Sequence, residues 1–335
     1  MRTVITGGAG FIGSHLVEHL LDRGDEVAVI DNLSTGRLAN IQGHLDNSRF
    51  RFVEGNILDR AAIDEVTAGA DRVFHLAAAV GVHLIVDHPL ESLRTNIHGT
   101  ETVLDSTLAA GATLLLASTS EVYGKNASDS LPEDSDRILG SPLKSRWTYA
   151  AAKGIDEAFA HAYWREFGLQ VSIVRLFNTV GPRQTGRYGM VVPSLVRQAL
   201  LGRPLTVYGD GQQTRCFSYV KDVVPAMVRI VENNESRGQA YNLGGSFEVS
   251  ILDLAQRIIR VLDSKSTVSL VPYEEAYGEG YEDMRRRVPD NTKARDLVGF
   301  NPTTTLDEII NNVAGSQRAE LKEGVVGLTD QRLAG

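Results

Sequence analysis

Tyr149 and Lys153 stand four residues apart in Arg146-Trp147-Thr148-Tyr149-Ala150-Ala151-Ala152-Lys153, a stretch whose residue types favour helix. Four residues is about one helical turn, so the two side chains share a face. A phenol with an unperturbed pKa of about 10 is a poor base at neutral pH. An ammonium one turn away favours the phenolate and is expected to lower that pKa. The pair is then suited to taking a proton from a hydroxyl group. Two further clusters carry chemistry. Thr119-Ser120-Glu121-Val122-Tyr123-Gly124 places two hydroxyls and a carboxylate directly after the apolar run 114–117, and Arg285-Arg286-Arg287 groups three cations just before Pro289.

These groups need a scaffold, and the chain supplies one from its start. Residues 2–6 read as a short buried strand. Gly7-Gly8-Ala9-Gly10-Phe11-Ile12-Gly13 follows, then a helical pattern to Arg23 closed by Gly24. Glycines in this strand–loop–helix context let backbone N–H groups approach a pyrophosphate at the helix N-terminus. A second strand, 26–30, ends at Asp31, roughly 20 residues after the glycines, where a carboxylate can bond an adenosine ribose. It would repel a 2′-phosphate, so NAD is expected rather than NADP. Arg37 reads as a solvated loop charge. The loop Asn32 to Gly36, with Ser34 and Thr35, belongs to the same expected site.

A third strand, 50–54, leads to Asn56 and Ile57, an amide and an apolar side chain able to hold an adenine edge. A fourth, 72–76, runs into Leu76-Ala77-Ala78-Ala79, small residues that let a ligand lie against the backbone; His75 reads as a structural strand-end histidine. Asn96 lies in a helix expected over 89–110, where a buried asparagine ordinarily satisfies backbone groups. A fifth strand, 113–118, ends at Ser118 and Thr119, and polar groups at the C-terminal end of a central parallel strand are where ligands bind in such sheets. Residues 125–145 read as a solvated polar loop beside the site. The Tyr149 helix should run to about Phe167 and stop at Gly168. The alternation of strands and helices implies an α/β doubly wound parallel sheet.

Composition is consistent with this. The 335 residues are 42% hydrophobic and 23% charged, with a net charge of -8, which gives no support to a nucleic-acid or anionic-membrane partner. Cys216 is the only cysteine, so neither an internal disulfide nor a thiolate metal cage is available, and no metal is expected. No apolar run reaches 18 residues, and a strand beginning at the second residue leaves no room for a signal peptide. A cytoplasmic location is the expectation.

With these motifs in place, the sequence resembles the extended short-chain dehydrogenase/reductase superfamily, the NAD-dependent epimerase/dehydratase enzymes that act on nucleotide sugars. The resemblance covers about residues 1–315 and rests on the glycine loop, Asp31, the alanines after strand four, Thr119 and the Tyr149-x-x-x-Lys153 pair. It implies a Rossmann sheet with a smaller α/β substrate-binding lobe: 1–177 and 218–248 in the sheet domain, 178–217 and 249–315 in the lobe, and a polar tail over 316–335, with Leu306 to Val313 as the last helix. It implies NAD as cofactor, with Gly7, Gly10, Phe11, Ile12, Gly13, Asp31, Asn32, Ser34, Thr35, Gly36, Asn56, Ile57, Leu76, Ala77, Ala78, Asn96, Ser118, Tyr149 and Lys153 around it. Thr119 would bond the reacting hydroxyl, Tyr149 would be the base, and Lys153 would also hold the nicotinamide ribose. Asn178 and Arg215 would meet the substrate diphosphate, with Val192 and Tyr208 in the same subsite. A homodimer through the helices carrying Asn96 and Tyr149 is also implied.

Within the superfamily, Thr-Ser-Glu-Val-Tyr-Gly and the segment 277–290 resemble UDP-glucuronate decarboxylases. Pro142-x-Lys144-x-Arg146-Trp147-x-Tyr149 is similar to the decarboxylase domain of the bacterial aminoarabinose-lipid pathway. This likeness implies that Arg287 faces the sugar carboxylate, that Ser120 and Glu121 manage it, and that Arg286 assists with phosphate. The expected reaction is oxidation at C4 followed by loss of carbon dioxide, giving UDP-xylose or the UDP-4-keto-pentose. A 4-epimerase, a 4,6-dehydratase and a non-catalytic NAD-binding protein of the same fold stand as alternatives; retention of Thr119, Tyr149 and Lys153 argues against the last.

Overall fold

Short runs of β-branched and apolar residues, each followed by an amphipathic helix, build a seven-stranded sheet. The computed structural model describes residues 1–80, 88–144, 147–186, 190–277 and 284–322. Arg146, the stretch 278–283 and everything beyond 322 lie outside the described residues. The strands are β1 (Arg2–Thr6), β2 (Glu26–Asp31), β3 (Phe50–Glu54), β4 (Arg72–His75), β5 (Thr113–Thr119) and β6 (Val171–Leu176), then the short β7 (Thr179–Val180), β8 (Leu205–Tyr208), β9 (Thr214–Cys216), β10 (Ser218–Tyr219), β11 (Ala240–Leu243), β12 (Glu248–Ser250) and β13 (Val268–Val271). The helices are α1 (Phe11–Asp22), α2 (Arg60–Thr67), α3 (Pro89–Ala110), α4 (Thr148–Phe167), α5 (Val191–Leu200), α6 (Val220–Glu232), α7 (Ile251–Val261), α8 (Tyr273–Tyr277), α9 (Thr292–Val298) and α10 (Leu306–Lys322).

The main sheet has the order β11-β6-β5-β4-β1-β2-β3, and all its neighbours are parallel. The chain winds from β1 out to β3, then returns to β4 on the other side of β1. The order therefore reverses between β1 and β4, and the crevice at their C-terminal ends is the place where such sheets bind ligands. On one face α2, α3 and α4 cover Val4, Val73, Leu114 and Ile173; on the other, α1 and α6 cover Ile5, Phe74, Leu115 and Val174. Both faces being buried explains why the central strands are apolar throughout rather than alternating. The smaller lobe holds the pairs β8–β13 and β9–β12 with α5, α7 and α10 packed together.

Two expectations are corrected. The last helix does not stop near Val313, and the predicted tail begins as helix: α10 runs to Lys322, with Ala314 buried and Gln317 donating to Pro193 O on α5 at 2.9 Å. Packing on α5 overrides the polar composition and the glycine at 315, because tertiary burial outweighs local propensity. The 125–145 loop is also more than a solvated excursion. Gly124 bridges Ile138, Leu131 bridges Pro289, and Leu131 is buried with Val122, Tyr123 and Phe177.

Candidate active site

α4 presents the central pair. It starts beside the buried Trp147, ends at the left-handed Gly168, and carries Tyr149 and Lys153 one turn apart. Lys153 is only 2% exposed, and its ammonium donates to Asp156 Oδ2 at 2.9 Å, three residues further along the helix. The Tyr149 phenol is pushed above its ordinary value, first by burial and then by the carboxylates of Glu121 and Asp156. The expected lowering by Lys153 is thus reversed: its ammonium is paired with Asp156, and the Glu121 and Asp156 carboxylates add to burial in raising the phenol.

The C-terminal end of β5 brings in the second cluster. Thr119 closes the strand, its Oγ1 accepting from Glu121 N at 3.2 Å, while Ser120 is buried in the short turn Ser120–Tyr123. Glu121 accepts from Arg287 Nη1 at 2.5 Å. The other arm of Arg287, Nη2, donates to Asn178 Oδ1 at 2.9 Å, and Asn178 Nδ2 donates to Cys216 O at 3.0 Å. Asn178 sits at a φ of 35°, in the left-handed region that asparagine tolerates better than most residues. Arg287 is 6% exposed, so a buried guanidinium meets a partly buried carboxylate 166 residues away, and that carboxylate also acts on the Tyr149 phenol.

What holds Arg287 there is a backbone strap that the sequence did not reveal. Leu131 N donates to Val288 O at 3.0 Å and Asp290 N to Leu131 O at 3.3 Å. Asn242, at the end of β11, donates through Nδ2 to Leu131 O at 2.8 Å and Asp290 O at 3.1 Å, and its Oδ1 accepts from Tyr123 OH at 2.8 Å. Arg175 on β6 completes the frame, donating to Tyr123 OH, Glu133 O and both oxygens of Glu157.

The crevice between β1 and β4 has the shape of a dinucleotide cradle. Gly7 has a φ of 76°, and a Cβ there would stand 2.8 Å from Ala77 N; at Gly13 a Cβ would stand 2.2 Å from Gly7 O. The backbones of the glycine loop, of α1 and of Leu76–Ala77 are therefore as close as they can be. α1 begins at Phe11 and Ile12 with no side-chain cap and no acidic residue in its first turn, which leaves the positive helix end open to an anion. Asp31 is buried, its carboxyl raised by that burial, and it accepts from Ala9 N at 2.9 Å and Leu33 N at 2.8 Å. Asn32 turns the chain by accepting from Ser34 N, Gly36 lies against the Asp31 oxygens next to Thr35, and Asn56 accepts from Leu58 N, with Ile57 buried beside it. Gly10 and Ala78 lie partly buried along the same crevice. These residues fit NAD: an open helix end for the pyrophosphate and a fixed carboxylate for the ribose.

Three of the expected ligand contacts take another form. The Asn96 amide is engaged by Ala79, accepting from its N at 2.8 Å and donating to its O at 3.2 Å, so Asn96 supports the floor of the cradle. The Ser118 hydroxyl is turned away to Glu157. The Val192 side chain is 1% exposed within the core, which leaves only its backbone to face a ligand. On the lobe side, Arg215 is buried and donates to Thr214 O and Met284 O, both at 2.8 Å. Arg286 grips Glu248 with two bonds of 2.8 and 2.9 Å and also reaches Asp129. Tyr208 ends β8, its phenol raised by burial. Sequence reasoning passed over Asp156, although its i, i+3 spacing from Lys153 was there to be read. Among the described residues, no cluster of His, Cys, Asp or Glu is set to hold a metal ion.

A switch-point cradle beside a Tyr-x-x-x-Lys helix defines an NAD-dependent short-chain dehydrogenase/reductase of the epimerase/dehydratase type. The chain belongs to the family described as GDP-mannose 4,6 dehydratase, whose profile matches residues 4–313. UDP-N-acetyl-alpha-D-glucosaminuronate decarboxylase of Bacillus cytotoxicus is 40% identical to it over 308 residues, covering 92% of this chain and 94% of that protein. UDP-glucuronic acid decarboxylase 1 of Xenopus tropicalis is 36% identical over 323 residues, 96% of this chain and 73% of that protein. Among solved structures, the UDP-glucuronic acid 4-epimerase of Bacillus cereus in complex with UDP-glucuronic acid and NAD matches with a TM-score of 0.86 at 29% identity, covering 95% of this chain and 99% of that one.

Proposed function

We propose that this chain is an NAD-dependent decarboxylase of UDP-glucuronate that works through a C4 ketone. The observation that carries the reading is the buried Arg287, held between Asn178 and the Glu121 carboxylate that acts on the Tyr149 phenol. NAD, when bound, would supply the hydride acceptor for oxidation at C4. Tyr149 takes the proton of the C4 hydroxyl, with Thr119 bonding that hydroxyl and Lys153 fixing the pair. A ketone at C4 makes the C5 carboxylate a β-keto acid, so carbon dioxide leaves with its bonding electrons delocalised onto the ketone oxygen. Arg287 orients the carboxylate and holds preorganised positive charge near the developing enolate. Glu121, with Ser120 beside it, manages the proton delivered to C5. Return of the hydride would give UDP-xylose; loss of the reduced cofactor would leave the UDP-4-keto-pentose. Arg215 and Asn178 line the diphosphate path, and α3 and α4 form the expected homodimer face.

A second substrate reading is favoured by the 40% identical relative, named for a UDP-N-acetylglucosaminuronate. It changes the C2 substituent and leaves the chemistry at C4 to C6 intact. The test is incubation of the purified protein and NAD with each uronate, following carbon dioxide and the product by mass and NMR. A product lighter by one carbon dioxide establishes the decarboxylase, and the ratio of kcat/KM between the two sugars selects the substrate. An unchanged mass with inverted C4 makes the protein a 4-epimerase and ends the reading.

A further inference from the structure

We propose that Asp156 is the positioning residue of the reacting pair: its buried carboxylate fixes the Lys153 ammonium below Tyr149 and sets the net charge that the phenol faces. This rests on reading Tyr149 and Lys153 as that pair.

Asp156 is 0% exposed and lies on the inner side of α4. Its Oδ2 accepts from Lys153 at 2.9 Å, whereas Oδ1 has no hydrogen-bond partner of ordinary geometry. Burial raises the Asp156 carboxyl above its ordinary value, while Lys153 and then the Thr100 hydroxyl, reaching in from α3, oppose that rise by favouring the carboxylate form. A buried carboxylate with a single cationic partner cannot release it cheaply, because the separated charge would remain desolvated. Lys153 is held by the same argument, since it is almost equally buried.

The anchor continues behind the pair. Thr100 Oγ1 lies 3.0 Å from His75 Nε2, and His75 Nδ1 lies 2.7 Å from Thr6 Oγ1, which accepts from Ala77 N at 3.2 Å. His75 is neutral, its pKa brought down to about 3 by burial and then by Lys153. A neutral imidazole donates through one nitrogen and accepts through the other, so it joins two hydroxyls without adding charge. The line runs from the floor of the dinucleotide cradle to the helix that carries the pair.

The charges around Tyr149 can be set out element by element. Lys153 and Asp156 come from its own helix, and Glu121 comes from the turn after β5. Arg287 from the strap is paired with Glu121, Arg137 from the 125–144 loop donates to Ala150 O, and His75 on β4 is neutral. Removing the Asp156 charge takes away one anion that disfavours the phenolate and leaves the Lys153 cation unneutralised. Both changes act in one direction, towards a more acidic phenol.

The experiment compares wild type with Asp156→Asn, each loaded with NAD, and Tyr149→Phe serves as the blank. Phenolate absorbance in the near ultraviolet is followed against pH. The expected result is that the Tyr149 signal rises at a pH lower by about one unit or more in D156N, corresponding to about tenfold more phenolate at a given lower pH. A Tyr149 signal that rises where the wild type's does, whatever the melting temperature, overturns the proposal. If D156N fails to fold, Asp156→Ser keeps an acceptor and removes the charge, and the same comparison decides. No sugar is present, so the result stands apart from the substrate reading. With a sugar that turns over, the basic limb of the kcat/KM profile should move by the same amount, a shift that a purely structural role would not produce.

Discussion

Arg287 is the residue on which the decarboxylase reading turns. It is buried, and its two arms are held by Glu121 and Asn178, so its position is preorganised before substrate arrives. Removing a preorganised charge of this kind costs about 10²–10³ in turnover in comparable oxyanion sites. Arg287→Ala is therefore expected to lower carbon dioxide release about a hundredfold or more, while NAD binding stays close to that of the wild type. Parallel measurement of carbon dioxide and NAD affinity checks this, and full carbon dioxide release by the variant would strip Arg287 of its role. Gly13 makes a second residue-level case. A Cβ there would meet Gly7 O at 2.2 Å, a backbone atom that cannot move aside without opening the loop. Gly13→Ala should weaken NAD binding at least tenfold by calorimetry, since the loop and the helix end must both approach the pyrophosphate.

At the scale of elements, the strap 288–290 matters more than its length suggests. It is pinned to Leu131 by backbone bonds and to β11 by Asn242, and its first residue follows Arg287 directly. Asn242→Ala would leave the Tyr123 hydroxyl without its acceptor and the partly buried Asp290 O without its donor, while Leu131 O would keep only the bond from Asp290 N. Orphaned buried polar groups cost about 1–3 kcal/mol each, so a loss of about 2–4 kcal/mol is expected in urea unfolding. A loosened strap should also lower kcat on the acidic sugar, with little change in NAD affinity. A variant with wild-type stability and turnover would show that the strap does not depend on Asn242.

For the whole molecule, two buried histidines predict how stability follows pH. His15 is held down to about 4, by burial first and then by Arg183, and His75 to about 3. Both pKa values are lower in the folded chain than the ordinary 6.5. Below that pH the unfolded chain binds protons that the folded chain refuses, so stability falls as pH falls from about 6.5 towards 4. Each histidine contributes a slope of about 1.4 kcal/mol per pH unit in this window. The raised carboxyls of Asp31, Glu133 and Asp156 act in the opposite sense where they titrate. Urea unfolding between pH 7 and 5 should therefore show a decline, to which His19, also lowered by burial, adds, and His15→Asn should make that decline shallower. A flat profile would mean that these imidazoles take up protons without leaving the fold. The molecule's surface is less constrained: no helix among the described residues is long and apolar enough to cross a membrane.

The sequence by itself determined what depends on neighbours along the chain. Strand runs, the glycine loop, Asp31 at the end of β2 and the one-turn spacing of Tyr149 and Lys153 are local patterns with fixed periods, and the structure places each within a residue or two of its expected bounds. Tertiary structure alone decided what depends on distance in space. Arg287 and Glu121 are brought together by β5 and a strap from the far end of the chain, and no spacing rule joins positions 121 and 287. The phenol's shift also changed sign between sequence and structure. A lysine four residues away predicts a lower pKa, but burial and the anions that folding sets beside Tyr149 raise it. The helix through 316–322 was hidden for the same reason, because its polar residues read as a tail until α5 supplied a surface for them to pack against. Local patterns are set by covalent geometry, whereas charge environments are set by whatever the fold brings within a few ångströms.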